Sequence, residues 1–317
     1  MSGNLKPGKS KKYLIYGIIA IIVLSLVVVF LYRYVKDFSS KRVGIARVLD
    51  KNTSVYNSTT DDSKQMLVSL KSLLDFTNLD DTKVQENISQ LDKKIPEIKQ
   101  ISANIAKSSL DLEKGDNADS SSLFTTFNEG LATKQATIDV LGNFVTYEVC
   151  LVKNASTQYA NIAAFSDNLT KFSQSATTVS PQDKSTFVDA ANKKISDNIE
   201  LSKSIEGCFQ NDSFSKYLTP DMKQDIAKDI ELYNQYVSTT KGISEGLLKS
   251  NSLLLQESTG QLLALKDKNP VFYTSEGFKK SIQDPKKLLQ DQAVILENQE
   301  KRIKNDTVTI KSKYFLD

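Results

Sequence analysis

The chain has 317 residues, 39% hydrophobic and 25% charged, a net charge of +3, and neither histidine nor tryptophan. Without histidine it lacks the side chain most used for general-base work near neutral pH and the commonest zinc ligand. The basic excess is local: residues 1–51 carry ten Lys/Arg against Asp37 and Asp50, while the rest holds 31 basic and 36 acidic residues, a balance that argues against nucleic-acid binding.

The first element is the run Tyr13–Tyr32, free of charge and bounded by Lys12 and Arg33. At about 1.5 Å per residue it spans roughly 30 Å, the thickness of a bilayer's hydrocarbon core. Tyr13 and Tyr16 at one end and Tyr32 and Tyr34 at the other suit the headgroup layers. The competing reading is a buried core helix, but such helices rarely run this long without a polar face. The run is longer than a signal-peptide core and its exit offers no Ala-x-Ala site, so an uncleaved single-pass anchor is expected. Lys and Arg flank both ends, so the positive-inside count does not fix the orientation.

Beyond the anchor every long pattern is helical. Residues 33–60 read as a juxtamembrane segment, and Asp61–Thr77 as a short helix with Met66, Leu70, Leu73 and Leu74 inward. From Val84 a 4–3 spacing runs through Ile88, Leu91, Ile95, Ile98, Ser102 and Ile105, opened by a capping box at Thr82 and Gln85, with Pro96 predicting a kink. The loop 115–122 is small and polar. The next spacing predicts one helix over 122–177, its stripe passing through Phe127, Lys134, Ile138, Val145, Glu148, Val152, Tyr159 and Ile162. Ser180-Pro181 and Thr219-Pro220 each read as an N-cap followed by proline at the first helical position. The first opens a helix with Phe187, Ala191, Ile195, Ile199 and Ile205 inward; the second opens a helix expected to run unbroken to Asn269-Pro270. Asp284-Pro285 is expected to start the last helix, striped by Leu289, Leu296, Ile303 and Ile310.

These seams mix apolar with small and polar residues, so each helix needs several neighbours. The fold class expected is all-α: an N-terminal transmembrane helix followed by an elongated, antiparallel, spectrin-like bundle of long shared helices. The organisation expected is a basic cytoplasmic tail (1–12), the anchor (13–32), the juxtamembrane segment (33–60) and an extracytoplasmic bundle (61–317), with sub-bundles 82–150 with 245–317, and 150–245. Facing residues in a helical hairpin share one midpoint, and that of Cys150 and Cys208 is Val179, in the turn before Ser180-Pro181. A disulfide is expected, against the alternative of two unrelated buried thiols. It would require an oxidising compartment, and with the polar, uncharged surface it favours the bulk of the chain outside.

No phosphate loop, nucleophile elbow, Cys-x-x-Cys or histidine metal motif is present, so neither catalysis nor a cofactor is expected. Asp221, Asp225 and Asp229 recur at helical spacing among Lys223 and Lys228 and read as a solvated face rather than a metal site. Val271, Phe272, Tyr273 and Phe278 fall in what reads as a non-helical connection, 269–285, either a plug closing the bundle or a patch contacting a partner. Seven Asn-x-Ser/Thr triplets occur, little above chance in so Asn-, Ser- and Thr-rich a chain. Three functions fit: an envelope scaffold meeting the bilayer and a protein partner, with homo-oligomerisation compatible; an extracytoplasmic sensor or ligand-binding bundle; or a cytoplasmic spectrin-like protein of the kind that regulates division rings. The second resembles bacterial four-helix sensory domains in coarse architecture only. Converging polar groups around a cavity would mark the sensor, and tight seams the scaffold.

Overall fold

A computed structural model describes the backbone of residues 8–74, 81–175, 180–210, 218–266, 268 and 276–316, and the side chains within these ranges except those of 8–20, 81, 166, 169, 172–175, 209, 266 and 276–286. The described residues are all-helical, with no strand among them. The helices in order are α1 (Gly8–Asn57), α2 (Thr60–Leu73), α3 (Asp81–Leu110), α4 (Ala118–Ser175), α5 (Pro181–Gln210), α6 (Pro220–Leu248), α7 (Ser252–Lys266) and α8 (Glu276–Tyr314). No helix among the described residues is long and apolar enough to cross a membrane; the expected span Tyr13–Tyr32 falls partly on residues 13–20, whose side chains lie outside those described.

The chain forms two compact units. The first comprises Met1–Ser58, Ser108–Leu131 and Gln299–Asp317. Its core takes Ile45, Val48, Leu49 and Tyr56 from α1, Leu123, Phe127 and Leu131 from α4, and Ile303 and Tyr314 from α8. In this unit α4 and α8 run antiparallel, with Asp119 opposite Lys313, Thr126 opposite Asp306 and Glu129 opposite Arg302. Gly130 lets three helices approach closely: a Cβ there would stand 2.6 Å from Ile303 Cδ1 and 2.9 Å from the Tyr56 ring. Asn52 is fully buried, donating to the Glu113 carbonyl at 3.1 Å and accepting from the Glu113 N–H at 2.8 Å. One amide thereby satisfies a backbone pair where the chain leaves α3 and has no helical partner.

The second unit comprises Thr59–Lys107 and Ala132–Asn298. Facing pairs in α3 and α4 (Gln85 with Ser156, Ile98 with Gly142, Ser102 with Asp139) share a midpoint near Ser120 and define an antiparallel hairpin. In α4 and α5, Cys150 with Cys208 and Asn161 with Asn198 are centred near Val179, as the predicted hairpin requires. Ser202 with Asn234 and Asn192 with Ser244 continue the pattern between α5 and α6. Both proline starts hold: Ser180 Oγ accepts from the Asp183 N–H at 3.2 Å, and Thr219 Oγ1 from the Met222 N–H at 3.2 Å.

Several expectations are corrected. The helix from Thr219-Pro220 does not run to Asn269 but breaks after Leu248. Ser250 adopts φ 50°, its N–H donates to the Leu247 carbonyl, and the Asn251 N–H donates to the Gly246 carbonyl at 2.9 Å, closing a Schellman turn. Asn251 then caps α7 through the Leu254 N–H, and α7 folds back on α6. The glycines permit this approach, because a Cβ on Gly246 would lie 3.0 Å from the backbone nitrogen of Leu255. The last helix starts at Glu276 rather than Asp284, so residues 276–285 of the expected connection are helical. Helix α4 starts at Ala118, its first turn closed reciprocally by Asn117 and Ser120, so the second half of the loop 115–122 is helix. Gln85 bonds Ser156 instead of reaching back to cap α3, because α4 offers its side chain a partner across the seam. Along α4 the buried stripe drifts, so that Gln158, Asn161 and Phe165 are inside while Tyr159 is exposed; on α5, Asn198 and Ser202 displace Ile199.

Candidate functional site

The expected site residues lie in three places. Of the anchor positions, Tyr32 and Arg33 are exposed on α1, and the side chains of Tyr13 and Tyr16 lie outside the described residues. Cys150 and Cys208 are joined in a disulfide with their Cα atoms 6.0 Å apart. Asn154, one turn along α4, donates to the Cys150 carbonyl at 2.8 Å and lies 3.5 Å from Cys208 Sγ, closing the bond off on that side. Val271, Phe272 and Tyr273 lie outside the described residues; Phe278 falls within α8, its side chain likewise undescribed.

Sequence reading missed a buried polar seam between α4, α5 and α6. Asn161 donates to Asn198 at 3.0 Å, Lys194 donates to Asn161 at 3.0 Å, and the Tyr233 hydroxyl donates to the Asn198 carbonyl. Ser202 donates to Asn234 at 2.5 Å and Ser244 to Asn192 at 2.9 Å, extending the series along the hairpin. Hydropathy gave no signal at Asn161, Asn198 and Ser202, which look like surface until a partner faces them, whereas Tyr233 and Ser244 fall on the helical spacing that follows Thr219-Pro220. Such bonds permit one axial register, because a slip would strand buried donors. Burial pushes the Tyr233 and Tyr236 phenols well above their ordinary value.

Among the described side chains of α4, one basic and one acidic group are buried. Lys134 is buried and donates to Thr60 Oγ1 at 2.5 Å and Thr59 Oγ1 at 3.3 Å. Glu148 is 0% exposed and neither carboxyl oxygen meets a hydrogen-bond partner. Desolvation holds its carboxyl well above the ordinary value, as the neutral acid.

At the end of the first unit, Asp119 Oδ2 accepts from Lys313 Nζ at 2.7 Å and from the Tyr314 hydroxyl at 2.6 Å. These bonds hold Asp119 below its ordinary value, Lys313 first, and raise the Tyr314 phenol to about 12. The Tyr314 ring also stacks on Phe38 of α1, centroids 5.8 Å apart, and Arg42 donates to the Phe315 carbonyl at 2.8 Å.

The grooves of the second unit open on its surface. One of about 350 Å³ lies between α6 and α7, lined by Gln235, Thr239, Gln261 and Lys268. Another of about 450 Å³ lies between α2 and α3, lined by Asp62, Ser69, Lys94 and Glu97; Lys94 and Glu97 pair at 2.6 Å, and Asp62 is exposed on the opposite helix. No cluster of metal-ligating side chains occurs among the described residues. The second unit thus carries open grooves between its helices on the outside and hydrogen-bonded polar seams within. Comparisons with protein-family models, curated proteins and solved structures find no match to this chain.

Proposed function

We propose that the chain is a single-pass membrane protein whose amino-terminal helix anchors an extracytoplasmic helical bundle, serving as a non-enzymatic scaffold or interaction component of the cell envelope. The observation that carries this reading is the stretch Ile21–Leu31 of α1. Its large apolar side chains are exposed all round the helix, including Ile21 at 67%, Leu24 at 68% and Phe30 at 71%. A helix apolar on every face has no low-energy surface to offer water, whereas lipid solvates it on all sides. Its one hydroxyl, on Ser25, donates to the Ile21 carbonyl at 2.8 Å and so needs no solvent partner.

The disulfide supports placing the bulk of the chain outside, since cytosolic thiols are kept reduced. Polar seams whose members bond each other support a scaffold over a sensor, which would direct such groups into a cavity. Partners of this kind are the bilayer and a protein of the envelope. The test is alkaline carbonate extraction of membranes from expressing cells, comparing the native chain with Leu24→Arg/Val27→Arg. Retention of the native chain and release of the variant are expected; release of the native chain would sink the anchor.

A further inference from the structure

We infer that the carboxy-terminal end of α8, with the first turns of α1 beyond the apolar run, forms a second membrane contact: a basic collar with an aromatic tip that sits on anionic lipid headgroups. The inference rests on the anchor reading above and adds a surface to it.

It starts from placement. Helix α1 continues without a break from the apolar run to the residues it contributes to the first unit's core, so axial position along it measures height above the bilayer. Phe38 lies about 9 Å and Arg42 about 15 Å beyond Tyr32 at helical rise. These are the two α1 residues that hold the end of the chain, Phe38 by stacking on Tyr314 and Arg42 by its bond to the Phe315 carbonyl. With the hydrocarbon ending near Tyr32, the headgroup layer occupies roughly the next 5–8 Å. Phe315 therefore comes within a side chain's reach of that layer.

The second observation is how Phe315 is presented. Its φ is 53°, its N–H donates to the Ser312 carbonyl, and the Leu316 N–H donates to the Lys311 carbonyl at 2.9 Å. This is the capping turn that ordinarily takes glycine at the left-handed position. Here a phenylalanine occupies it, and the residue is 73% exposed rather than folded onto the core. A bulky aromatic held in this conformation without being buried is free to meet a surface outside the unit.

The third observation is charge. Arg33, Lys36, Lys41 and Arg42 on α1 and Lys311 and Lys313 on α8 stand at this end of the unit. Against them among the described residues are Asp37, paired with Lys41 at 2.8 Å, Asp119, held by Lys313 and Tyr314, and the exposed Asp116 just before α4. The balance is positive, and Tyr34 and Val35 add exposed apolar surface between the charges. Cations flanking exposed aromatics beside an apolar helix match the layered chemistry of a leaflet that carries anionic lipid on the outer side, phosphate outermost and acyl chains beneath.

The chain contains no tryptophan, so each single substitution is a unique reporter. The full chain carrying Phe315→Trp, and separately Leu26→Trp, is reconstituted into phosphatidylcholine vesicles with and without phosphatidylglycerol. Tryptophan at 26 should lose most of its fluorescence to lipids brominated on the acyl chain in both. Tryptophan at 315 should be blue-shifted and lose more than half its intensity to headgroup-nitroxide lipids when phosphatidylglycerol is present, and should recover in high salt. Quenching at 26 with water-like emission at 315 in both membranes would overturn the collar and leave the anchor standing. Equal quenching at 315 in neutral vesicles would overturn its electrostatic basis. Absence of quenching at 26 would remove the anchor, and the collar with it.

Discussion

A carboxyl group closed off from water and from every donor, as that of Glu148 is, remains protonated because ionising it there means placing a bare charge in a low-dielectric interior. Its folded value lies above its unfolded one, so the native state binds the extra proton. Stability is therefore fully present below the unfolded value, near 4.5, and is lost as pH rises toward the folded value. Each unit by which folding raises the value costs about 1.4 kcal/mol at pH above both. Replacing Glu148 by Met keeps the volume and removes the polar atoms. We expect Glu148→Met to raise the midpoint of thermal unfolding at pH 7.5 by an amount equivalent to about 1–3 kcal/mol and to flatten the fall in stability between pH 5 and 8. Unfolding followed by circular dichroism across that range checks it, and an unchanged pH profile would refute the buried-acid account. Glu148 falls on the predicted stripe and its burial was legible; that nothing on α3, α5 or α6 bonds it was not.

At the level of elements, the junction of α6 and α7 shows how a local signal overrides a periodic one. The 4–3 spacing continues through Asn251 and Ser258, so periodicity alone reads one long helix. The chain reverses because Gly242 and Gly246 remove the Cβ atoms that would hold α7 away, and because Ser250 and Asn251 supply the left-handed turn and the next N-cap. Two substitutions should act in opposite directions. Ser250→Gly relieves a left-handed non-glycine residue and should stabilise by about 0.5–1 kcal/mol. Gly246→Val presses on the Leu255 backbone and should destabilise by about 1–3 kcal/mol. Urea denaturation measures both; if Gly246→Val leaves the midpoint where it was, α7 does not pack on α6 at that glycine.

For the molecule as a whole, the disulfide closes a segment of 58 residues that contains the turn between α4 and α5. Constraining the unfolded chain over such a length is worth about 2–4 kcal/mol, so reduction should lower the urea midpoint of the second unit without abolishing its helicity. The same pair reports location. In intact cells, maleimide should label Cys150 and Cys208 only after reduction; labelling in lysed cells without reductant would mean free thiols and a cytosolic bundle.

The sequence by itself determined the helices and much of their pairing. Spacing of apolar side chains, proline at N1 and the hydroxyl caps Ser180 and Thr219 are local, and local rules carry them. It also placed Cys150 opposite Cys208, since an antiparallel hairpin has one free parameter, the position of its turn. Only the tertiary structure decided what the seams contain. Asn161, Asn198 and Ser202 are indistinguishable from surface residues until a partner on another helix satisfies them, and Gly130 looks dispensable until Ile303 and Tyr56 arrive against it. Those are contacts between residues far apart in the chain, and burial of a polar group or approach of two backbones is set by the partner rather than by the residue itself.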